Sequence, residues 1–121
     1  MPFLNRIEIM GNVAADVEMR FTPAGKAVTT FRVGVNHRYQ KDNEWKSQTE
    51  WFSVETWEKH AEICNQRLHK GSKVFVEGRL QTRTWDTSEG QARFSLEIKN
   101  ARVTFLDPFD KSNQEEESPF E

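Results

Sequence analysis

Residues 49–85 read TEWFSVETW, then EKHAEICNQRLHK, then GSKVFVEGRLQTRTW, two alternating stretches with a stretch of different period between them. In residues 49–57 the even positions Phe52 and Val54 suit a core. The odd positions are Trp51, Ser53, Glu55 and Trp57, a polar face bracketed by two indoles. Side chains two apart share a strand face, and a rise of about 3.3 Å per residue sets these two rings roughly 20 Å apart on one surface. They cannot both be core if Phe52 and Val54 are. From 58 to 69, Ala61, Cys64 and Leu68 fall at i, i+3 and i+7, with Ile63 and Arg67 flanking the stripe, which predicts a short helix. Glu58 stands in its first turn and Lys70-Gly71 is a stop signal. From 72 to 85 alternation returns, with Val74, Val76, Gly78 and Leu80 on the even face. Phe75, Glu77, Arg79, Gln81, Arg83 and Trp85 make up the odd face.

The flanks extend the same pattern. Residues 5–12 predict a first strand with Ile7 and Ile9 on one face, bent or bulged at Gly11-Asn12, and Val17 to Phe21 continues its alternation. Pro23-Ala24-Gly25 makes a turn. In 26–39, Ala27, Thr29, Phe31, Val33 and Val35 share one face, and the polar stretch Gln40 to Gln48, interrupted by Trp45, is expected to be a long hairpin loop. Beyond Trp85, the turn Asp86 to Gly90 leads to a last strand with Phe94, Leu96 and Ile98 inward. The apolar phase then slips to Val103 and Phe105, which predicts a bulge near Asn100. There is no internal repeat. Three strands, a helix and two strands specify an all-β chain: a five-stranded OB-fold Greek-key barrel with one short helix between strands 3 and 4. An SH3-like barrel has no place for a helix in that slot. The expected domain is 1–106. Residues 107–121, which open on Asp107-Pro108, are too polar to fold alone and are expected to form a short disordered acidic tail.

Composition narrows the class. The chain has 121 residues, 36% hydrophobic and 30% charged, so its core is modest and oligomer contacts would add stability. No apolar run approaches the roughly 20 residues that span a bilayer, and the start lacks a secretory pattern, so no membrane association is expected. The single cysteine, Cys64, allows no internal disulfide and suits a reducing, cytoplasmic setting. His37, His60 and His69 have no partners at metal-ligand spacing, and there is neither a phosphate loop nor a nucleophile elbow. No metal, no other cofactor and no enzymatic activity are expected. The net charge of −2 conceals an asymmetry: residues 107–121 hold six of the 19 acids and one of the 17 bases, which leaves 13 acids and 16 bases in the body. A mildly basic body (+3) therefore joins an acidic tail (−5).

Strand phase or loop position leaves Tyr39, Trp45, Trp51, Trp57 and Trp85 outside the core, interleaved with Arg38, Lys41, Lys46, Lys59, Arg79, Arg83 and Arg93. Flat rings among cations suit single-stranded nucleic acid. Every base offers a π-face, and stacking on an aromatic contributes roughly 1–3 kcal/mol per base whatever the sequence. Lys and Arg follow the phosphates, and affinity then falls with salt at a slope of about 0.7 per contact. A lone Trp is more often an ordinary core or interface residue, and Trp45 is as well explained by covering its own hairpin. Phe75 shares the odd face of 72–85 but suits packing under the helix or at a subunit contact. Two indoles on one polar face and a third on a basic face make the binding reading the stronger one.

Asn5-Arg6-Ile7 through Gly11-Asn12, Gln48-Thr49-Glu50-Trp51, Lys70-Gly71-Ser72, and Val76-Glu77-Gly78-Arg79-Leu80 through Thr82-Arg83-Thr84-Trp85 closely resemble the bacterial and organellar single-stranded DNA-binding protein family, over roughly residues 4–106. The resemblance implies an OB-fold that assembles as a homotetramer and wraps single-stranded DNA; the residues alone do not choose between tetramer and dimer. It implies that Tyr39, Trp51, Trp57 and Trp85 stack bases, Tyr39 often replacing a Trp of the family and Trp57 a Phe. It implies roles in DNA replication, recombination and repair, a cytoplasmic, nucleoid-associated location, and an acidic tip that docks on replication and repair proteins. Glu115, Glu116, Glu117, Ser118, Pro119 and Phe120 match that tip, but Glu121 follows the Phe and the linker is short. A mobile acidic tail can also compete with DNA for the basic grooves, weakly and in a salt-dependent way. Two other readings compete. A protein-bridging adaptor like the primosomal relative would lack the acidic Pro-Phe end. A cold-shock type RNA binder fits the rings and bases but not Thr49-Glu50-Trp51 or Thr82 to Trp85.

Overall fold

In the computed structural model, which describes residues 3–107, the alternating stretches become strands that curl into one barrel. The elements are β1 (Ile7–Val13), β2 (Glu18–Phe21), β3 (Ala27–Lys41), β4 (Glu44–Trp57), α1 (Glu58–Arg67), β5 (Lys73–Asp86) and β6 (Ala92–Phe105). The sheet order is β1-β5-β6-β4-β3-β2, and β1 also pairs with β3, which closes the ring. β1 meets β3 at Asn12 with Gly34 and Val13 with Val33, while β2 meets the start of β3 from Glu18 with Thr30 to Phe21 with Ala27. β1 and β2 therefore act as one interrupted strand along β3, and the barrel has five staves as the OB-fold requires. Among the described residues only β4 and β6 run parallel, over Phe52–Val54 and Leu96–Ile98. At the closure a side chain on Gly11 would collide with the Gly34 carbonyl, so the two backbones meet only because residue 11 has no Cβ.

The inward residues of each strand fill the barrel: Phe31, Val33, Phe52, Val54, Val74, Val76, Ile98 and Val103, joined by Val13 and Ala101. Each fully buried branched side chain contributes roughly 1.5–3 kcal/mol relative to exposure. α1 stoppers one end with Ala61 and Cys64, both buried, and Leu68 just beyond it completes the stripe expected for a helix. Two buried threonines tie this end together: Thr29 Oγ1 donates to the Ala61 carbonyl (2.7 Å), and Thr56 Oγ1 donates to the Thr29 carbonyl (3.1 Å). His60 Nε2 accepts the Val103 N–H at 2.8 Å and so fastens α1 to β6. Burial first, and the Arg102 charge second, lower the His60 pKa, which favours the neutral ring that this bond needs. Burial pushes the Cys64 thiol up to about 11, against a small opposing pull from Thr56, so it is a packing group.

The phase slip in the last strand is a bulge. Asn100 has φ 54°, and the β5–β6 register shifts between Glu77 and Arg79, returning Ala101 and Val103 to the core. Two expectations need correction. The stretch Gln40 to Gln48 is not a long loop: β3 and β4 stay paired as far as Lys41 with Glu44. The turn is Asp42-Asn43, with φ 54° and 64°, the double left-handed geometry of a tight I′ hairpin. Phe94 does not point into the core. It is 67% exposed, because β5 and β6 remain paired out to Asp86 with Ala92, past the end of the barrel.

Candidate nucleic-acid interface

The phase that sends Phe52, Val54, Val74 and Val76 inward turns their neighbours out onto one continuous sheet face. β3 supplies Arg32 and Gly34, and β4 supplies Trp51, Ser53, Glu55 and Trp57. β6 supplies Ser95, Glu97 and Lys99, and β5 supplies Arg79, Gln81, Arg83 and Trp85. Strand register lines them up, so that Arg32, Ser53, Glu97 and Gln81 form one row across four strands.

Trp51 is 45% exposed and lies over Gly34, its partner across the ladder; a Cβ there would come within 2.8 Å of Trp51 Cζ3. The missing side chain is thus the seat of the indole. Arg32 flanks the same ring with its guanidinium carbon 4.9 Å from the centroid. Trp57, half-buried at the end of β4, donates its Nε1–H to Glu55 Oε1 (3.0 Å), which fixes the ring's orientation. Trp85 is 41% exposed, with the Arg83 guanidinium carbon 4.7 Å from its centroid. Further out, Trp45 is 64% exposed and Arg38 lies 5.1 Å from its centroid.

Between these rings lie paired charges. Glu97 accepts from Arg83 Nε (2.9 Å) and from Ser95 Oγ (3.3 Å), and it meets Lys99 Nζ at 3.2 Å. Burial alone would raise the pKa of its carboxyl. The Arg83 and Lys99 hydrogen bonds, the Lys99 charge and the Ser95 hydrogen bond together outweigh burial and lower it. Lys99 also meets Glu55 at 3.4 Å.

The structure brings Trp51, Trp57, Trp85, Arg79 and Arg83 onto this face, and Trp45 and Arg38 continue it along the β3–β4 hairpin. Tyr39 falls on the opposite side of that hairpin, stacked on His37 with centroids 6.1 Å apart. Lys46 is on Tyr39's side, 3.8 Å from Glu44, and Lys41 sits beside the turn opposite Glu44. Lys59 is exposed on α1, and Arg93 stands across from Trp85, donating to Gln91 Oε1 at 3.3 Å. Glu115, Glu116, Glu117, Ser118, Pro119, Phe120 and Glu121 lie outside the described residues. Sequence reasoning missed Arg32, Glu97 and Lys99. Arg32 was within reach, since it alternates with Phe31 and Val33; the other two gain meaning only from the parallel β4–β6 pairing. Among the described residues no helix is long and apolar enough to cross a membrane.

Residues 4–106 match the Single-strand binding protein family. Single-stranded DNA-binding protein 2 of Chlorobaculum tepidum is 36% identical over 122 residues, covering 99% of this chain and 82% of the relative. Single-stranded DNA-binding protein A of Bacillus subtilis is 37% identical over 105 residues, covering 87% of this chain and 60% of the relative. Among solved structures, an SSB of Plasmodium falciparum in complex with ssDNA superposes with a TM-score of 0.76 at 29% identity, over 88% of this chain and 98% of that one. A small single-stranded DNA-binding protein from Streptomyces coelicolor gives a TM-score of 0.70 at 32% identity, over 90% and 96%.

Proposed function

The chain belongs to the single-strand binding protein family, and from that membership we propose that it binds single-stranded DNA with little regard to sequence, as a protective partner in DNA replication, recombination and repair. The observation that carries this reading is the outer face on which Trp51, Trp57 and Trp85 stand among Arg32, Arg79 and Arg83. Indoles at this spacing offer π-faces to unpaired bases, and Arg32 and Arg79 draw the backbone toward them. Trp45 with Arg38, and Tyr39 with Lys46 and Lys41 across the same hairpin, extend the path, with Lys59 and Arg93 at its margins. In this reading the chain is a binding module, not an enzyme, and needs no cofactor. It works as a homotetramer in the cytoplasm, associated with the nucleoid, and residues 115–121 recruit replication and repair proteins.

Titrating oligo(dT) at low salt should quench the indole fluorescence strongly, with binding that weakens as salt rises. Unchanged fluorescence at micromolar protein would overturn the proposal. Light scattering of the full chain with and without a long oligonucleotide tests the tetramer. Loss of partner proteins from a pull-down when residues 107–121 are removed, with DNA affinity kept or raised, tests the tail.

A further inference from the structure

Between Trp57 and Trp85 the outer face carries an unbroken line of alternating charge. The Trp57 indole N–H donates to Glu55 (3.0 Å), Glu55 meets Lys99 (3.4 Å), Lys99 meets Glu97 (3.2 Å), Glu97 accepts from Arg83 (2.9 Å), and Arg83 lies against the Trp85 ring (4.7 Å). Two carboxylates and two cations cancel. The side chain of Glu97 is 12% exposed, that of Glu55 20% and that of Lys99 26%, against 59% for Arg83. The acids lie low against the sheet, where an unpaired charge is costly, so each keeps hold of its cation.

A binding face for a polyanion would be expected to present its cations free. Here a phosphate that reached Lys99 would sit beside Glu55 and Glu97 as well, and attraction would be offset by repulsion. The indoles at both ends of the line suffer no such conflict, because a base brings no net charge.

We propose that Glu97 and Glu55 are positioning residues of the single-strand interface, an inference that rests on the binding function proposed above. They hold Arg83 and Lys99 in ion pairs and neutralise them. The strip between Trp57 and Trp85 therefore receives bases, while the phosphates run along its margins. Arg83 serves as a support for the Trp85 ring rather than as a phosphate contact.

The test is the salt dependence of oligo(dT) binding by the full chain. Glu97→Gln should free cations for the phosphates, steepening the slope of log K against log salt by about 0.7 for each cation released, and should raise affinity severalfold at low salt. Glu55→Gln, which leaves the Glu97–Arg83 pair in place, should steepen it by about one such step, roughly 0.7. Glu62→Gln, on the exposed side of α1, changes the net charge equally and should leave the slope at the wild-type value. Slopes unchanged or shallower in Glu97→Gln and Glu55→Gln, with folding verified by circular dichroism, overturn the proposal, as does an equal steepening in Glu62→Gln. If Glu97→Gln does not fold, Glu55→Gln decides alone. A wild-type chain that does not bind oligo(dT) at low salt defeats the binding reading instead, which separates the two failures.

Discussion

The barrel and its two protruding hairpins are built from the same strands, yet they obey different rules. Inside the barrel, one face of β3, β4, β5 and β6 is sealed and the other is open. Past its rim, the same strands continue as the β3–β4 hairpin to Asp42-Asn43 and the β5–β6 hairpin to Asp86 and Ala92, and there both faces are mostly exposed. An aromatic in the barrel is a core residue or a surface ring according to its phase, as Phe52 and Trp51 show. On the hairpins phase decides only which side a ring occupies. Tyr39 and Phe94 have the phase of core residues but no core to enter, and Trp45 and Trp85 have the outward phase. The barrel thus fixes which rings face outward, and in the proposed function the hairpins add surface for a flexible strand of nucleic acid to follow.

The contrast fails if substitutions in the two regions have like effects. The largest stability effect is expected at Val76, fully buried: Val76→Ala should destabilise the barrel by about 2–3 kcal/mol in urea unfolding, without weakening oligo(dT) binding by the fraction still folded. Phe94→Ala, on the hairpin, should cost less than about 0.5 kcal/mol of stability. A comparable loss at both positions would mean that the hairpin packs as the barrel does. Next come the outward indoles. Trp51→Ala or Trp85→Ala should each weaken binding by roughly 1–3 kcal/mol with little loss of fold, read by titration and thermal melting on the same samples. Gly34→Ala sharpens this, since it removes no ring from the chain but forces Trp51 off its seat. It should lower affinity more than it lowers the melting temperature, and the reverse order would deny the seat any role in binding.

The same contrast explains what could be read from the chain beforehand. The core faces, the helix between the third and fourth staves, and the slip at Asn100 were legible because burial on one side writes a strong alternation. The reach of the hairpins was not, because residues 40–48 are polar on both faces and alternation without a buried side has no contrast. Asp42-Asn43 was the available signal, two residue types that tolerate left-handed backbone, but in a polar run they read equally well as loop. The line from Glu55 through Lys99 and Glu97 to Arg83 joins three strands, two of them parallel neighbours. Only the register brings those residues together, and no local pattern encodes it.

The smallest effect belongs to the barrel alone and is a matter of pH. His60 accepts the Val103 N–H through a ring nitrogen that must be unprotonated, and burial with Arg102 nearby lowers its pKa from the ordinary 6.5. In the unfolded chain the ring takes up a proton near its ordinary value, so between that value and the lower folded one the unfolded state binds more protons. The stabilising contribution is therefore complete above about pH 6.5 and is lost as pH falls through the folded pKa. Thermal melting from pH 7.5 to 5 should show this fall in the wild-type chain and a smaller one in His60→Gln. Because neither His60 nor Val103 supplies a side chain to the indole-bearing face, oligo(dT) affinity of the folded protein should stay level over the same range. An affinity that drops in step with the melting temperature would show that the stopper and the binding face are one cooperative unit.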